Sequence, residues 1–245
     1  MKLSVFVFSL VLFQAGASEM PFIHDIPDFT QTHVIGKSRG NGQQYCAPTA
    51  VSNSLVWMSG GEISQLALIK KLASKRYMNT SLKNGTGTTG VLRGVERISE
   101  ELFGRYKELT YEGWRVHPKS YSSGLKRPDI AKMKSYISAK STAWINVGWY
   151  KYNKKNDEYQ RIGGHWVTLV GAKGNQLILH DPAPRAGQTF SNEFVTFSEV
   201  KTGTLTGEKT GLPADARGYY SLGKGMHIKS RADVALIDGV VYFKI

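Results

Sequence analysis

The chain is almost devoid of cysteine, since Cys46 is the only one among 245 residues. An internal disulfide is therefore excluded, and the fold has to be stabilised by its core alone. A lone cysteine is commonly a small, buried hydrophobic residue without chemical function. Its position along the chain has to decide between that interpretation and a reactive thiol.

Long apolar runs are missing after the first residues. Lys2 and an apolar run from Val5 to Phe13 precede the small residues 15–18, a pattern typical of an export signal and its cleavage site. The run is too short to span a bilayer, and no later stretch is long enough. We therefore expect residues 1–17 to be a signal peptide. The mature protein should be exported, either periplasmic or secreted, with no membrane span.

Acidic residues are scarce relative to basic ones. The chain has 19 Asp and Glu against 32 Lys and Arg, a formal net charge of +13. Basic residues cluster at 70–76, 126–134 and 151–155. This charge would attract acidic partners such as cell-envelope polymers, although a solvated basic surface is the simpler explanation. No nucleic-acid-binding motif accompanies the charge, so specific nucleic-acid binding is not expected.

Helical patterns come first in the chain. Small or apolar residues recur at 47, 50/51, 54/55 and 58, which predicts a helix from Cys46 to Met58 with one buried face. Pro48 suits the first turn of this helix, and the glycines at 60 and 61 suit its end. Further helices are predicted at 62–77, 91–103 and 128–139.

Strand patterns dominate later, where aromatic and β-branched residues lie between turn signals. Strands are predicted at 109–116, 143–150, 163–172, 176–181, 194–197 and, as a hairpin turning at Asp238-Gly239, at 233–237 and 240–243. Helices followed by antiparallel strands indicate an α+β fold, not alternating β-α-β units. No Pro/Ser-rich linker, low-complexity tract or repeat divides the chain, which predicts a single domain over residues 18–245.

Cys46 stands at the start of the first predicted helix. Free backbone N–H groups and the positive end of the helix dipole at such a position favour thiolate over thiol. This placement indicates a nucleophile. A nucleophilic thiol needs a base to take its proton, and the base needs a partner that orients it.

His165 is the best candidate for the base among six histidines. It begins a predicted strand, and Gly163 and Gly164 before it would leave room for a substrate backbone. The other five are interpreted as surface or core residues: His24, His33, His117, His180 and His227.

Asp181 is the candidate for the orienting residue. If residues 172–174 form a three-residue hairpin loop, Gly171 pairs with Asn175 and Asp181 lies directly opposite His165. Their Cβ atoms would then be about 5 Å apart on one face of the sheet. A shift of one residue would break this pairing. The alternative is that Asp181 only shapes a turn before Pro182.

An acyl-transfer site also needs donors for the oxyanion. The backbone N–H of Cys46 is one candidate, and the side-chain amide of Gln43 or Gln44 is another, with no basis for choosing between the two. A metal site built from His165, His180 and Asp181 is a further alternative. It is disfavoured because the two histidines should face opposite sides of the sheet and no H-E-x-x-H pattern occurs. No metal or cofactor is expected.

Three segments carry a family resemblance: Gln-Gln-Tyr-Cys46-Ala-Pro-Thr-Ala, Gly-Gly-His165-Trp-Val-Thr-Leu-Val-Gly and Leu-His-Asp181-Pro. Together they resemble the bacterial C39-like branch of the papain-like cysteine peptidases. The resemblance implies a papain-like fold, with the cysteine heading a central helix packed on an antiparallel sheet. It also implies Cys46 as nucleophile, His165 as general base and acid, Asp181 as orienter and an upstream glutamine in the oxyanion hole.

The leading hypothesis is thus an exported cysteine peptidase that hydrolyses peptide bonds through a thioester intermediate. A transglutaminase or amidase using the same three residues is a second possibility. A catalytically silent papain-like module that binds an acidic polymer is a third.

Overall fold

Helices precede most of the strands, and the α+β class is confirmed. The structure is a computed structural model that describes residues 23, 25–32, 42–183, 193–207 and 212–245. The helices are α1 (Cys46–Met58), α2 (Gln65–Ala73), α3 (Thr88–Phe103) and α4 (Ile130–Ser135), and residues 119–121 form one 3₁₀ turn. The strands are β1 (Glu108–Gly113), β2 (Ser141–Asn153), β3 (Glu158–Lys173), β4 (Gln176–His180), β5 (Glu193–Glu199), β6 (Thr204–Thr206), β7 (Ala214–Asp215), β8 (Tyr220–Leu222) and β9 (Val234–Lys244).

The sheet closes on itself like a barrel. β2 pairs with both β3 and β9, while β4, β5 and β8 complete the ring between them. All pairings within the ring are antiparallel, whereas β3 makes a short parallel contact with β6. Closure leaves the six strands of the ring paired on both sides, which protects them from pairing with another chain.

Apolar side chains fill two main regions. One cluster lies inside the ring and includes Ile145, Val167 and Leu179, with α4 contributing Met133. The other lies between the helices and the sheet and includes Leu55 and Leu92. Each fully buried side chain of this size contributes about 1.5–3 kcal/mol by leaving water, so the packing of α1 and α3 on the sheet is strongly favoured.

α1 is buried all around and not on one face as its pattern predicted. Every residue from Ala47 to Val56 is buried, because α2, α3 and the sheet surround the helix. Two of its polar side chains are hydrogen-bonded to neighbouring elements: the Ser54 hydroxyl lies 2.7 Å from that of Thr142 in β2, and Asn53 Oδ1 accepts from Gln65 Nε2 at 2.6 Å. Both bounds of this helix were predicted correctly, and Gly60 and Gly61 follow it with positive φ.

Two other helices are shorter than predicted. α2 begins after Ser64, whose hydroxyl accepts the Ala67 N–H, and it ends before Ser74, which is extended. α4 begins after Asp129, whose carboxylate accepts the N–H groups of Ala131 and Lys132. Side-chain capping thus sets helix starts that apolar spacing alone placed too early.

The predicted hairpin at Asp238-Gly239 is wrong, because β9 runs through these residues as one strand. Asn146 of β2 pairs with Gly239 and Val147 pairs with Ile237, so Asp238 is the additional residue of a β-bulge. Its carboxylate is fully buried and accepts hydrogen bonds from the Arg161 guanidinium, the Tyr150 hydroxyl and the Trp114 indole N–H. These partners explain why an acidic residue is retained inside the sheet.

Two expectations concern the N-terminus and membranes. The predicted signal peptide, residues 1–17, lies outside the described residues. Within the part of the chain that the structure describes, no helix combines the length and apolar character that crossing a bilayer requires.

Candidate active site

Cys46 is the first residue of α1, and its thiol is free and partly exposed. The preceding residue, Tyr45, makes no side-chain hydrogen bond to the helix start. The helix is fixed against β3 by Thr168, whose hydroxyl donates to the Ala50 carbonyl at 2.7 Å. The thiol is thereby held at the positive end of a rigid, buried helix.

His165 lies in β3, opposite Val147 of β2, and is 7% exposed. Its Nε2 atom is hydrogen-bonded to Oδ1 of Asp181, and the Cys46 side chain is near enough to the ring to raise its pKa. Trp149 stacks on the ring at 6.0 Å between centroids and 20° between planes. Since Nε2 is engaged by the carboxylate, Nδ1 is the nitrogen left for the sulfur.

The charge state of His165 follows from these neighbours. Burial by itself lowers the pKa of the ring, but the charge and hydrogen bond of Asp181, together with Cys46, outweigh burial and raise the pKa to about 10. The imidazolium form is therefore favoured at neutral pH, beside the thiol.

Asp181 lies just past the end of β4 and is completely buried. Its Oδ1 accepts the Ala183 N–H at 2.8 Å in addition to the His165 ring. Its Oδ2 lies 3.1 Å from Nδ1 of His227. Asp181 thus contacts both the Ala183 N–H in the turn and the His165 ring.

The predicted hairpin register is wrong, although the contact that it predicted is formed. Residues 174 and 175 make a two-residue turn, so Lys173 pairs with Gln176, and a bulge at Val170 leaves Thr168 opposite His180. Asp181 is therefore not opposite His165. It lies beyond the last paired residue of β4, where side chains no longer have to point to alternate faces of the sheet.

His227 is a site residue that the sequence did not reveal. It lies in the connection between β8 and β9, and its ring centroid is 5.0 Å from that of Trp149 and 5.5 Å from that of His165. No motif surrounds it, and only tertiary folding brings it 46 residues back along the chain to Asp181.

The two glutamines proposed for the oxyanion hole occupy different surroundings. Gln43 is exposed, and its backbone carbonyl accepts Nε2 of Gln31 at 2.5 Å. Gln44 is half-buried beside Gly85, with its Oε1 3.4 Å from the position of a Cβ built there. Gln31 itself is buried and donates its backbone N–H to the Pro182 carbonyl, next to Asp181.

Gly164 makes room for a protein side chain and not for a substrate backbone. A Cβ atom built on it would lie 2.1 Å from Nη2 of Arg161, the residue that pairs with buried Asp238. The nearby Trp149 and Trp166 are each only 3% exposed.

The metal-ligating set considered from the sequence is not assembled. His180 is hydrogen-bonded through Nδ1 to the Pro27 carbonyl at 3.1 Å and pairs with Thr168. Donor atoms of His165, Asp181 and His227 do lie within 4.8 Å of one another. His165 and Asp181 are at hydrogen-bonding distance, however, whereas two ligands of a tetrahedral zinc ion with bonds of about 2.0–2.1 Å lie about 3.3 Å apart.

Comparisons with known proteins identify the family of the chain. The model of the Peptidase C39-like family matches residues 23–202, and the chain belongs to that family. A solved structure, a presumed C39-like peptidase from Bacillus anthracis, is similar at 10% identity with a TM-score of 0.42, covering 93% of this chain and 98% of that one. No curated protein sequence matches the chain. Family membership supports a peptidase of the cysteine type.

Proposed function

We propose that the protein is an exported cysteine peptidase that hydrolyses peptide bonds with Cys46, His165 and Asp181. The observation that carries the proposal is the hydrogen bond between the Asp181 carboxylate and the His165 ring, whose pKa the neighbouring Cys46 side chain also raises. The order Cys, His, Asp and the position of the cysteine at the start of a buried helix are those of a papain-like fold.

The chemistry follows from these contacts. Cys46 reacts as the thiolate, with the proton held on the His165 imidazolium, and the thiolate attacks the peptide carbonyl carbon to form a tetrahedral intermediate. When the C–N bond breaks, His165 returns the proton to the leaving amine, and the acyl group remains as a thioester on Cys46. Water then attacks the thioester with His165 as base, which releases the carboxylic acid and restores the thiol.

The oxyanion of each tetrahedral intermediate requires hydrogen-bond donors. The Cys46 backbone N–H at the start of α1 is one, and we assign the second to the side-chain amide of Gln43 or Gln44. Removing such a donor typically lowers kcat by about 10²–10³. Single Gln43→Ala and Gln44→Ala variants therefore identify the residue that serves this role.

The rest of the proposal concerns the chain as a whole. Residues 1–17 are removed on export, and residues 18–245 form one peptidase domain in the periplasm or outside the cell. Peptides or proteins are the substrates. The basic clusters provide a surface for acidic cell-envelope polymers.

The decisive experiment measures the reactivity of the thiol. Iodoacetamide at neutral pH should label Cys46 rapidly, and the labelling rate should fall by at least 10-fold in a His165→Ala variant. The control is His117→Ala, which should not change the rate, because the parent His117 is hydrogen-bonded to the Arg115 carbonyl. Cleavage of a peptide library should require Cys46 and produce free carboxyl termini. Slow labelling that His165→Ala leaves unchanged, or products joined to added amines, would contradict a peptidase.

A further inference from the structure

We infer that His227 is a second positioning residue of the site, which holds the Asp181 carboxylate in the orientation that His165 requires. The inference rests on the proposed function and goes beyond it, because the expected set of three residues has no place for another histidine. The evidence for this inference is the distribution of hydrogen bonds around the buried Asp181 carboxylate.

Asp181 is completely buried, so both of its oxygens depend on protein donors. Oδ1 is hydrogen-bonded to the His165 ring and to the Ala183 N–H, while Oδ2 is hydrogen-bonded to Nδ1 of His227 at 3.1 Å. Without His227, a carboxylate oxygen would lose its charge-assisted hydrogen bond in a site closed to water. Rotation of the carboxylate to recover a donor would then break its alignment with His165.

The rings are packed so that this alignment is rigid. His227 lies edge-on to His165, at 5.5 Å and 71°, and 5.0 Å from Trp149, which itself stacks on His165. The three rings and the carboxylate leave little freedom for His165 to turn away from Cys46. Such a supporting contact keeps a reacting group within a fraction of an ångström of its working position.

Donation through Nδ1 also defines which form of His227 is required. A neutral ring must carry its proton on Nδ1 to donate to Asp181. A protonated ring would add a positive charge that competes with the His165 imidazolium for the same carboxylate. The titratable groups around His227 in the described ranges are Asp181 and His165, with Cys46 beyond His165 and Lys229 on its own connection.

Two substitutions separate donation from packing. His227→Asn places an amide N–H near the position of Nδ1 but does not titrate near neutral pH. His227→Phe keeps an aromatic ring against Trp149 but cannot donate. We expect His227→Phe to lower kcat about 10-fold with KM unchanged, a smaller loss than the 10²–10⁴-fold typical of a general base itself. His227→Asn should restore kcat to within about 3-fold of the parent and change the acid side of the pH profile.

Thermal unfolding establishes that both variants are folded before their kinetics are compared. Equal kcat in the parent and in His227→Phe would overturn the inference, as would an equal loss in both variants or a loss that lies in KM alone. Failure of the proposed function is recognised separately, since the unaltered protein would then show slow Cys46 alkylation that does not depend on His165.

Discussion

His165 and Asp181 are hydrogen-bonded through Nε2 and Oδ1 although they are not opposite each other in the ladder of β3 and β4. Asp181 reaches the ring from beyond the end of its strand, where Pro182 follows and the Ala183 N–H fixes the carboxylate. The contact therefore depends on a turn and not on strand pairing.

Substitution of Asp181 should separate orientation from charge. We expect Asp181→Ala to lower kcat by about 10²–10⁴, because His165 loses the partner that fixes its ring. Asp181→Asn should retain more activity, since an amide oxygen can still accept from Nε2. Steady-state kinetics on a cleaved peptide measures both. A wild-type kcat in a folded Asp181→Ala variant would exclude Asp181 as the orienting residue.

The stability of the protein should fall with rising pH because of His165. Asp181 and Cys46 outweigh the effect of burial and raise the pKa of the His165 ring from 6.5 to about 10. A raised pKa contributes stability that is fully present below pH 6.5 and is lost as the pH rises through 10. We expect the free energy of unfolding, measured by urea titration, to decrease by a few kcal/mol over this window.

A His165→Gln variant is the control for this pH dependence, since glutamine does not titrate. Its stability should change less between pH 6.5 and 10 than that of the parent protein. Parallel curves for the two proteins would show that the slope comes from other groups.

Local patterns predicted α1 well, because its apolar spacing and its terminal glycines are read within one short segment. The register of β3 and β4 could not be predicted in this way, since the bulge at Val170 has no local signal. The Asp238-Gly239 pair resembled a turn because its partners, above all Arg161, lie far away in sequence. His227 was missed for the same reason, as only the closed sheet brings it to Asp181.

Gly164→Ala should destabilise the protein by about 1–3 kcal/mol. The added methyl group would collide with the Arg161 guanidinium, 2.1 Å from the built Cβ, and move it from buried Asp238. Gly87→Ala is the matched control, because no atom lies within 4 Å of a Cβ built there and its φ is not positive. Denaturant unfolding measures both variants.

A double-mutant cycle makes this prediction sharper. In an Arg161→Ala background the close atom that remains is the Val147 carbonyl oxygen, 3.1 Å from the built Cβ, so most of the additional cost of Gly164→Ala should disappear. An equal cost in both backgrounds would show that the glycine is required for a reason other than Arg161.

The alignment of Cys46 with His165 should depend on the single hydroxyl of Thr168. This residue lies three positions after His165 in β3, and it donates at 2.7 Å to the carbonyl of Ala50, four positions after Cys46 in α1. Thr168→Val preserves the shape of the side chain but leaves that buried carbonyl without this donor, at a cost of about 1–3 kcal/mol. We expect kcat to fall several-fold with KM little changed, because a small displacement of α1 against β3 misplaces the sulfur.

Thr168→Ser, which keeps the hydroxyl, should recover most of kcat. Thr196→Val removes an exposed threonine-to-carbonyl contact of 3.5 Å in β5 and should leave kcat unchanged. If Thr168→Val loses stability but keeps its kcat, the hydroxyl stabilises the fold without aligning the two reacting groups.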